Sequence, residues 1–126
     1  MRSLLSGCAM ALALLCAISY AHGQKSTEQY IPIGQSPGVS EKYYSTVGKI
    51  ADVNPQEQTV TIADPTGART VKISEKTRIF LDRSKLKQTN LTGRFADLQK
   101  GRRAEVKYAD ERREVAEWVK VEISEP

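Results

Sequence analysis

Apolar and polar residues alternate with a period of two along most of the chain from Tyr43 to Ile123. This period is typical of half-buried β-strands, because successive side chains of a strand point to opposite faces of the sheet. Turn-forming segments divide the alternation into five predicted strands. These strands are residues 43–53, 59–64, 68–81 (with a break at 74–76), 104–108 and 115–123.

Proline, glycine and asparagine mark the places where the predicted strands turn or bend. The segments "NPQEQ" (54–58) and "DPTG" (64–67) combine residue types that favour tight turns. The apolar phase of the first strand shifts between Val47 and Ile50, which predicts a bulge or bend near Gly48.

The segment 83–100 interrupts the period of two. Phe95 and Leu98 are three residues apart, as on one face of a helical turn. Thr92 fits a helix N-cap and Gly101 fits a C-terminal stop. We therefore predict a loop and one short helix that points Phe95 and Leu98 into the core.

Five strands with one helix between the third and fourth strands follow the order of an OB-fold, a small and partly open Greek-key barrel. The sequence therefore predicts an all-β protein with a five-stranded OB-like barrel. A five-stranded open meander is the alternative, although its unpaired strand edges would favour aggregation.

Several segments also resemble a known family. The segments "GKIADV", "TVTI", "TGARTVKI" and "TRIF", and above all Phe95-x-Asp97-Leu98-x-x-Gly101 followed by a strand, are similar to small exported bacterial OB-like β-barrel proteins that are grouped as a domain of unknown function. The resemblance covers about residues 46–123, although Ala104 stands where the family usually has a larger apolar residue. It implies an OB-like fold and export, and it implies no catalytic residues.

The N-terminus has the parts of a secretory signal peptide. Arg2 precedes an uncharged apolar run from Leu4 to Tyr20, and small residues then offer cleavage after Ala21 or Gly23. We therefore predict that residues 1–23 are a signal peptide and that the mature protein is periplasmic or secreted. An uncleaved anchor helix is the alternative, but the run is shorter than the roughly 20 apolar residues that a span usually needs.

The stretch "LSGC" (5–8) resembles the lipid-attachment site of a bacterial lipoprotein. Lipidation of Cys8 would leave a very short apolar core before the cut and an apolar rather than polar tether after it. We therefore expect that Cys8 is discarded with the signal peptide. Residues 24–42 contain two prolines, two glycines and few apolar residues, which predicts a flexible or loosely docked N-terminal arm before the barrel domain (43–126).

Removal of the signal peptide excludes several chemistries. It removes both cysteines, Cys8 and Cys16, and places the only histidine, His22, at the cleavage site. The mature chain then lacks the ligands for zinc or copper and the residues for Ser-His or Cys-His catalysis. We therefore expect no metal, no cofactor, no catalytic residues and no membrane span in the mature protein. A small enzyme that acts on an envelope polymer through a carboxylate pair or a Ser-Lys pair is the alternative.

The basic residues cluster in the middle of the chain. Residues 69–113 contain 14 Lys and Arg against 6 Asp and Glu, a local net charge of +8, between acidic ends. Such a distribution favours an anionic partner. The candidate ligand-binding residues are Arg69, Lys72, Arg78, Arg102, Arg103, Arg112, Arg113 and Trp118, and the alternation predicts that Arg69, Lys72 and Arg78 point outward.

Aromatic residues could supply flat surfaces for such a ligand. The candidates are Tyr43, Tyr44, Phe80 and Trp118, of which Phe80 and Trp118 are out of phase with their apolar neighbours. Packing of these two rings against the arm or a barrel rim, or a bulge near Glu117 that turns Trp118 inward, is the other interpretation. The sequence thus predicts an exported binding or adaptor module for an anionic envelope polymer or a protein partner. Export disfavours nucleic acid.

Overall fold

The computed structural model describes residues 27–125. The predicted signal peptide, with its cleavage sites and Cys8, lies outside the described residues. Within them no helix has the length and apolar character needed to cross a membrane. The strands are β1 (Ser45–Asn54), β2 (Thr59–Asp64), β3 (Gly67–Lys72), β4 (Arg78–Asp82), β5 (Leu91–Thr92), β6 (Arg103–Tyr108) and β7 (Ala116–Glu122), and the 3-10 turns are Glu28–Tyr30, Ser84–Leu86 and Phe95–Asp97.

The fold is all-β, as predicted, but its sheet has seven strands in the order β3-β2-β1-β6-β7-β4-β5. Neighbouring strands are antiparallel except β4 and β7, which are parallel. The sheet curls until Lys72, at the end of β3, bridges Val115 beside β7, and the Lys72 N–H donates to the Glu114 carbonyl at 2.8 Å. The strand ladders do not close it into a barrel.

Two features raise the strand count above the predicted five. The third predicted strand is divided into β3 and β4 by a turn, in which the Thr77 hydroxyl accepts the Ser74 N–H (2.9 Å) and donates to the Ala116 carbonyl (2.6 Å). The short strand β5 pairs with β4 inside the segment predicted as a loop.

The predicted short helix is only the three-residue 3-10 turn Phe95–Asp97. The chain before it stays extended, because Thr92 pairs with Phe80 in the sheet and the Gly93 N–H donates to the Ile79 carbonyl at 2.8 Å. Thr92 therefore caps no helix. The turn still directs Leu98 into the core, where it is 2% exposed, and Phe95 packs against the edge of the core.

The first strand contains a bulge three residues beyond Gly48, near which the sequence predicted a bulge or bend. The β1–β2 register shifts between Ile50 and Asp52, which makes Ala51 the extra residue. Gly48 has a different role, since a Cβ there would lie 2.1 Å from the Ala63 carbonyl oxygen of β2. Glycine is therefore required for the close approach of the two strands.

A second bulge, at Glu117, explains the phase of the last strand. Lys107 of β6 pairs with Trp118 and Tyr108 pairs with Ala116, so Glu117 is the extra residue. Ala116 faces the core, and Trp118 lies on the opposite side of the sheet. We call that side of β4, β6 and β7 the outer face.

Trp118 and Phe80 are buried on this outer face, 5% and 4% exposed, with their ring centroids 6.5 Å apart. The arm covers the outer face, and its Ile33 is only 3% exposed. Of the two interpretations that the sequence left open for these rings, packing is therefore the one that the structure shows, and Trp118 offers no exposed ring to a ligand.

The arm binds the outer face through an ion pair between a buried lysine and a half-buried glutamate. The Lys120 ammonium, whose residue is fully buried, donates to the Glu28 carboxylate at 2.8 Å and to the Ser36 hydroxyl at 2.9 Å, and it lies 4.4 Å from the Trp118 ring centroid. The Ser36 hydroxyl in turn donates to Glu28. Burial favours the neutral form of Glu28, but the Lys120 and Ser36 hydrogen bonds and the Lys120 charge outweigh it and hold the Glu28 pKa below its usual value.

Two buried carboxylates of the sheet complete this attachment. Glu105, fully buried, accepts the Gly34 N–H (2.8 Å) and the Ser40 and Ser45 hydroxyls (2.6 Å each). Asp82 accepts the Ile33 N–H at 2.9 Å and also hydrogen bonds from Ser84. Burial opposes ionisation of Asp82, yet these donors hold its pKa below the usual value. The arm is thus fixed by long-range polar contacts.

We predict that Val71→Asp abolishes cooperative folding. Val71 is fully buried, and an unpaired carboxylate there costs several kcal/mol out of a total stability of about 5–15 kcal/mol. Thr70→Asp is the matched control, because Thr70 is adjacent in β3 and exposed, and we expect it to cost less than about 1 kcal/mol. Thermal and urea unfolding measure both variants. A cooperative, wild-type-like transition for Val71→Asp would contradict the assigned strand phase.

We also predict that acid weakens the domain through Glu28 and Asp82. Both carboxyls have a lowered pKa in the folded protein, so the unfolded chain takes up protons first as the pH falls. Their contribution to stability is complete above about pH 4.5 and is lost as the pH falls through the lower folded-state values. Urea unfolding from about pH 6 to about pH 3 tests this dependence. The double variant Glu28→Gln/Lys120→Met should lose less unfolding free energy on acidification, and an unchanged pH dependence would argue against the ion pair.

Candidate ligand-binding cleft

The predicted basic residues do not form one continuous surface. Arg103 stands at one end of β6, and Arg112 and Arg113 follow its other end. A six-residue strand rises about 3.3 Å per residue, so the two groups are separated by roughly 15 Å or more. The two groups therefore do not share one binding surface.

Arg102 and Arg103 are engaged locally. The Arg102 guanidinium donates to the Asp97 carbonyl at 2.8 Å and so holds the 3-10 turn. The Arg103 guanidinium is 3.6 Å from the Glu122 carboxylate, which the Lys85 ammonium approaches at 3.3 Å. These two arginines therefore stabilise the structure around β6 and β7.

Lys72 and Arg78 border separate depressions. Lys72 is exposed and lines a hollow that also contains Glu57 and Glu75. Arg78 lines another hollow with Lys76, Glu117 and the edge of Trp118. In the first hollow two carboxylates offset Lys72, and in the second Glu117 lies beside the two cations, so Lys72 and Arg78 do not share one site.

Arg69 lies on the core side of β3, and the prediction that it points outward with Lys72 is wrong. Arg69 pairs with Ile62, which is 1% exposed in the core, and directly paired residues of an antiparallel ladder share one face. Arg69 is also two residues before Val71, whose side chain is buried. Arg69, the third residue of β3, is exposed and lines a cleft of about 200 Å³ that also contains Thr46, Tyr108 and Arg113.

Arg113 joins this cleft to a second one. It lines both the 200 Å³ cleft and a neighbouring cleft of about 320 Å³. Its guanidinium carbon lies 5.4 Å from the Tyr108 ring centroid, and its Nη2 donates to the Tyr43 carbonyl at 3.4 Å. The Tyr108 hydroxyl is itself 2.5 Å from the Thr46 hydroxyl, so the ring beneath Arg113 is fixed. Arg112 instead pairs with Asp110 at 3.2 Å in the exposed β6–β7 loop.

We name the two parts of this site by their lining. The arginine lobe is the 200 Å³ cleft, lined by Thr46, Ile62, Asp64, Thr66, Gly67, Ala68, Arg69, Tyr108 and Arg113. The tyrosine lobe is the 320 Å³ cleft, lined by Lys42, Tyr43, Tyr44, Lys107, Tyr108, Ala109, Asp110, Glu111 and Arg113. Tyr108 and Arg113 belong to both lobes, which makes the site continuous.

Two exposed tyrosines line the tyrosine lobe. Tyr43 is 79% exposed and Tyr44 is 58% exposed. Tyr43 has a φ of 62° and Arg113 has a φ of 58°, both in the left-handed region, which is unfavourable for bulky residues. Two strained residues thus meet through one hydrogen bond at the lobe. Backbone strain of this kind is concentrated at functional sites.

The charged residues of the site differ in whether they form ion pairs or hydrogen bonds. Lys107 pairs with Glu117 at 2.7 Å, whereas Lys42, Arg69 and Arg113 make no ion pair within residues 27–125. Among the acids, Asp64 accepts hydrogen bonds from Thr66 and Gly67 in its turn, chiefly from the Thr66 hydroxyl, which lowers its pKa. Three cations are therefore available to an anion.

The sequence identified part of this site. Arg69 and Arg113 were candidates, and Tyr43 and Tyr44 were named as aromatic surfaces, but Lys42 was not singled out. The tripeptide "KYY" (42–44), a cation beside two aromatics just before the first strand, is the signal that marks them. Within residues 27–125 no group of three or more His, Cys, Asp or Glu side chains is placed to hold a metal ion.

Comparisons of the chain with family models, curated proteins and solved structures find no match. The site is therefore interpreted from its own geometry.

We predict that Tyr43→Gly leaves the fold as stable as the wild type or stabilises it. Glycine adopts positive φ without steric cost, so the substitution relieves about 1 kcal/mol of backbone strain. Tyr44→Gly is the control, because Tyr44 is an adjacent exposed tyrosine without positive φ, and we expect it to cost about 0.5–1 kcal/mol. Urea unfolding measures both. A Tyr43→Gly loss equal to that of Tyr44→Gly would show that the tyrosine ring is needed for stability.

Proposed function

We propose that this protein is an exported, non-enzymatic binding or adaptor module that holds an anionic envelope polymer in the two-lobed cleft. The observation that carries the proposal is the convergence of Lys42, Arg69 and Arg113 beside two exposed tyrosines. Arginine guanidinium groups bind carboxylate and phosphate groups in a bidentate manner, which suits such a ligand.

The proposed fold is a partly open OB-like barrel of the family that the sequence resembles. The order of the strands along the chain supports this fold. Five strands remain if β3 and β4 are counted as one divided strand and the two-residue β5 is omitted. The approach of Lys72 to Val115 also supports it. Arg113 then belongs to the loop after the fourth strand, one of the loops that OB-folds use for oligonucleotides and oligosaccharides.

The packing of the arm supports the choice of this cleft over the outer face of β4, β6 and β7. Buried Lys120, Glu105 and Asp82 on that face are already hydrogen-bonded to the arm. A ligand would have to displace these contacts. The cleft requires no such displacement.

The alternative, an enzyme with a carboxylate pair or a Ser-Lys pair, is favoured by no contact among the described residues. Glu105 and Asp82 are fixed by donors from the arm. The Ser74 hydroxyl lies 3.3 Å from the Thr77 hydroxyl and donates no hydrogen bond to a lysine.

We predict that Arg69→Gln/Arg113→Gln weakens retention on an anionic heparin matrix more than Lys72→Gln/Arg112→Gln does. Both double variants remove two positive charges, so the difference isolates the cleft from the net charge of the protein. The first variant removes the converging guanidinium groups, and we expect it to elute at a clearly lower salt concentration, since screened surface charges contribute little. Equal elution of the two variants would contradict the proposed site.

A further inference from the structure

The tyrosine lobe adds a second chemistry to the cations of the site. Tyr43 and Tyr44 expose their rings on a part of the chain that is fixed at both ends, by the arm on one side and by β1 on the other. An exposed tyrosine supplies a rigid, amphipathic contact surface at low entropic cost. This surface suits a ligand with a flat, partly apolar face.

The acidic residues distinguish between classes of anion. Glu111 lines the tyrosine lobe and makes no ion pair within residues 27–125, and Asp64 lines the arginine lobe. Carboxylates repel a ligand with closely spaced phosphates, but they accept hydrogen bonds from hydroxyl groups. The ligand that fits all three features has ring faces, hydroxyl groups and a modest number of acidic groups.

The size of the site is consistent with one ring and its neighbouring group. The tyrosine lobe, about 320 Å³, is at the lower end of the range of small-ligand pockets, about 300–1,000 Å³, and the arginine lobe adds about 200 Å³ beside it. Arg113 stands between the lobes and is held by the Tyr43 carbonyl and the Tyr108 ring. A ring on the tyrosines would therefore place its acidic substituent between Arg113 and Arg69.

On the basis of the proposed function, we propose that the ligand is an acidic polysaccharide. A sugar ring lies against Tyr43 and Tyr44, its carboxylate or other acidic group meets Arg113 and Arg69, and its hydroxyl groups donate to Glu111 and Asp64. The tyrosines provide selectivity for a sugar, and the arginines provide affinity for an anion.

The experiment compares three polymers by titration calorimetry: polygalacturonate, which has rings and carboxylates; polyphosphate, which has charge without rings; and an oligodeoxythymidine. We expect the wild type to bind polygalacturonate most tightly. Tyr43→Ala/Tyr44→Ala should lower polygalacturonate affinity about 10-fold, which corresponds to about 1.4 kcal/mol for two aromatic contacts, and leave polyphosphate affinity unchanged. Arg69→Gln/Arg113→Gln should weaken binding to both.

Two controls separate ring contact from loss of folding. Tyr30→Ala removes a tyrosine that is 58% exposed and lies outside the cleft lining, and it should change neither affinity. Tyr43→Phe/Tyr44→Phe keeps both rings and should retain polygalacturonate binding. Urea unfolding of each variant verifies that it folds.

The outcomes distinguish the two proposals. If the tyrosine variant binds polygalacturonate as the wild type does while the arginine variant loses both polymers, the polysaccharide proposal is overturned and the anion-binding function stands. Tightest binding to oligodeoxythymidine, with the same tyrosine dependence, would overturn it in favour of single-stranded nucleic acid. Absence of binding to all three polymers would overturn the proposed function itself.

Discussion

The ion pair between the buried Lys120 ammonium and Glu28 is the interaction on which the arrangement of this protein depends. An ammonium group removed from water is strongly destabilising unless it is paired and hydrogen-bonded, and Glu28, Ser36 and the Trp118 ring satisfy this one. Both of the oxygen partners belong to the arm. The arm must therefore lie on the outer face of the sheet whenever Lys120 is buried.

This attachment decides which surfaces face a partner. It occupies the outer face, where Trp118 and Phe80 are buried, and it engages Glu105 and Asp82 in hydrogen bonds. It delivers the end of the arm to the residues just before β1, where Tyr43 takes its left-handed conformation and its carbonyl meets Arg113. The cleft is thus a consequence of how the arm is fixed.

The sequence predicted the apolar face of the sheet well, because a period of two depends only on neighbouring residues. Val60, Ile62, Val71 and Val106 alternate and are buried. Arg69 breaks this regularity, since a charged residue on the core side of a strand is acceptable only where its side chain reaches water, and Arg69 is exposed. The three-residue turn at Phe95–Asp97 was harder to predict because the preceding pairing of Thr92 with Phe80 joins residues from different segments.

The packing of the arm on the outer face could not be predicted from the local sequence pattern. Lys120 and Glu105 have the character of surface residues in a strand, and their burial depends on partners 92 and 71 residues away. For Trp118 the sequence offered a bulge near Glu117 as one interpretation, but only the pairing with β6 shows that the bulge exists and that it places Trp118 on the outer face. For the cleft, the local signal "KYY" was present, but its proximity to Arg113 comes from a contact across 70 residues.

The same long-range contacts impose an order on folding. The hydrogen bonds that tie the described part of the arm to the sheet close chain loops of about 50 to 92 residues, and the ion pair joins the arm to the last strand. Loop closure over such separations is entropically costly and slows folding. The N-terminal part of this domain therefore reaches its final place only after the C-terminal strand has been synthesised and paired. A chain that emerges N-terminus first, whether from a ribosome or through a membrane pore, consequently completes its first segment last.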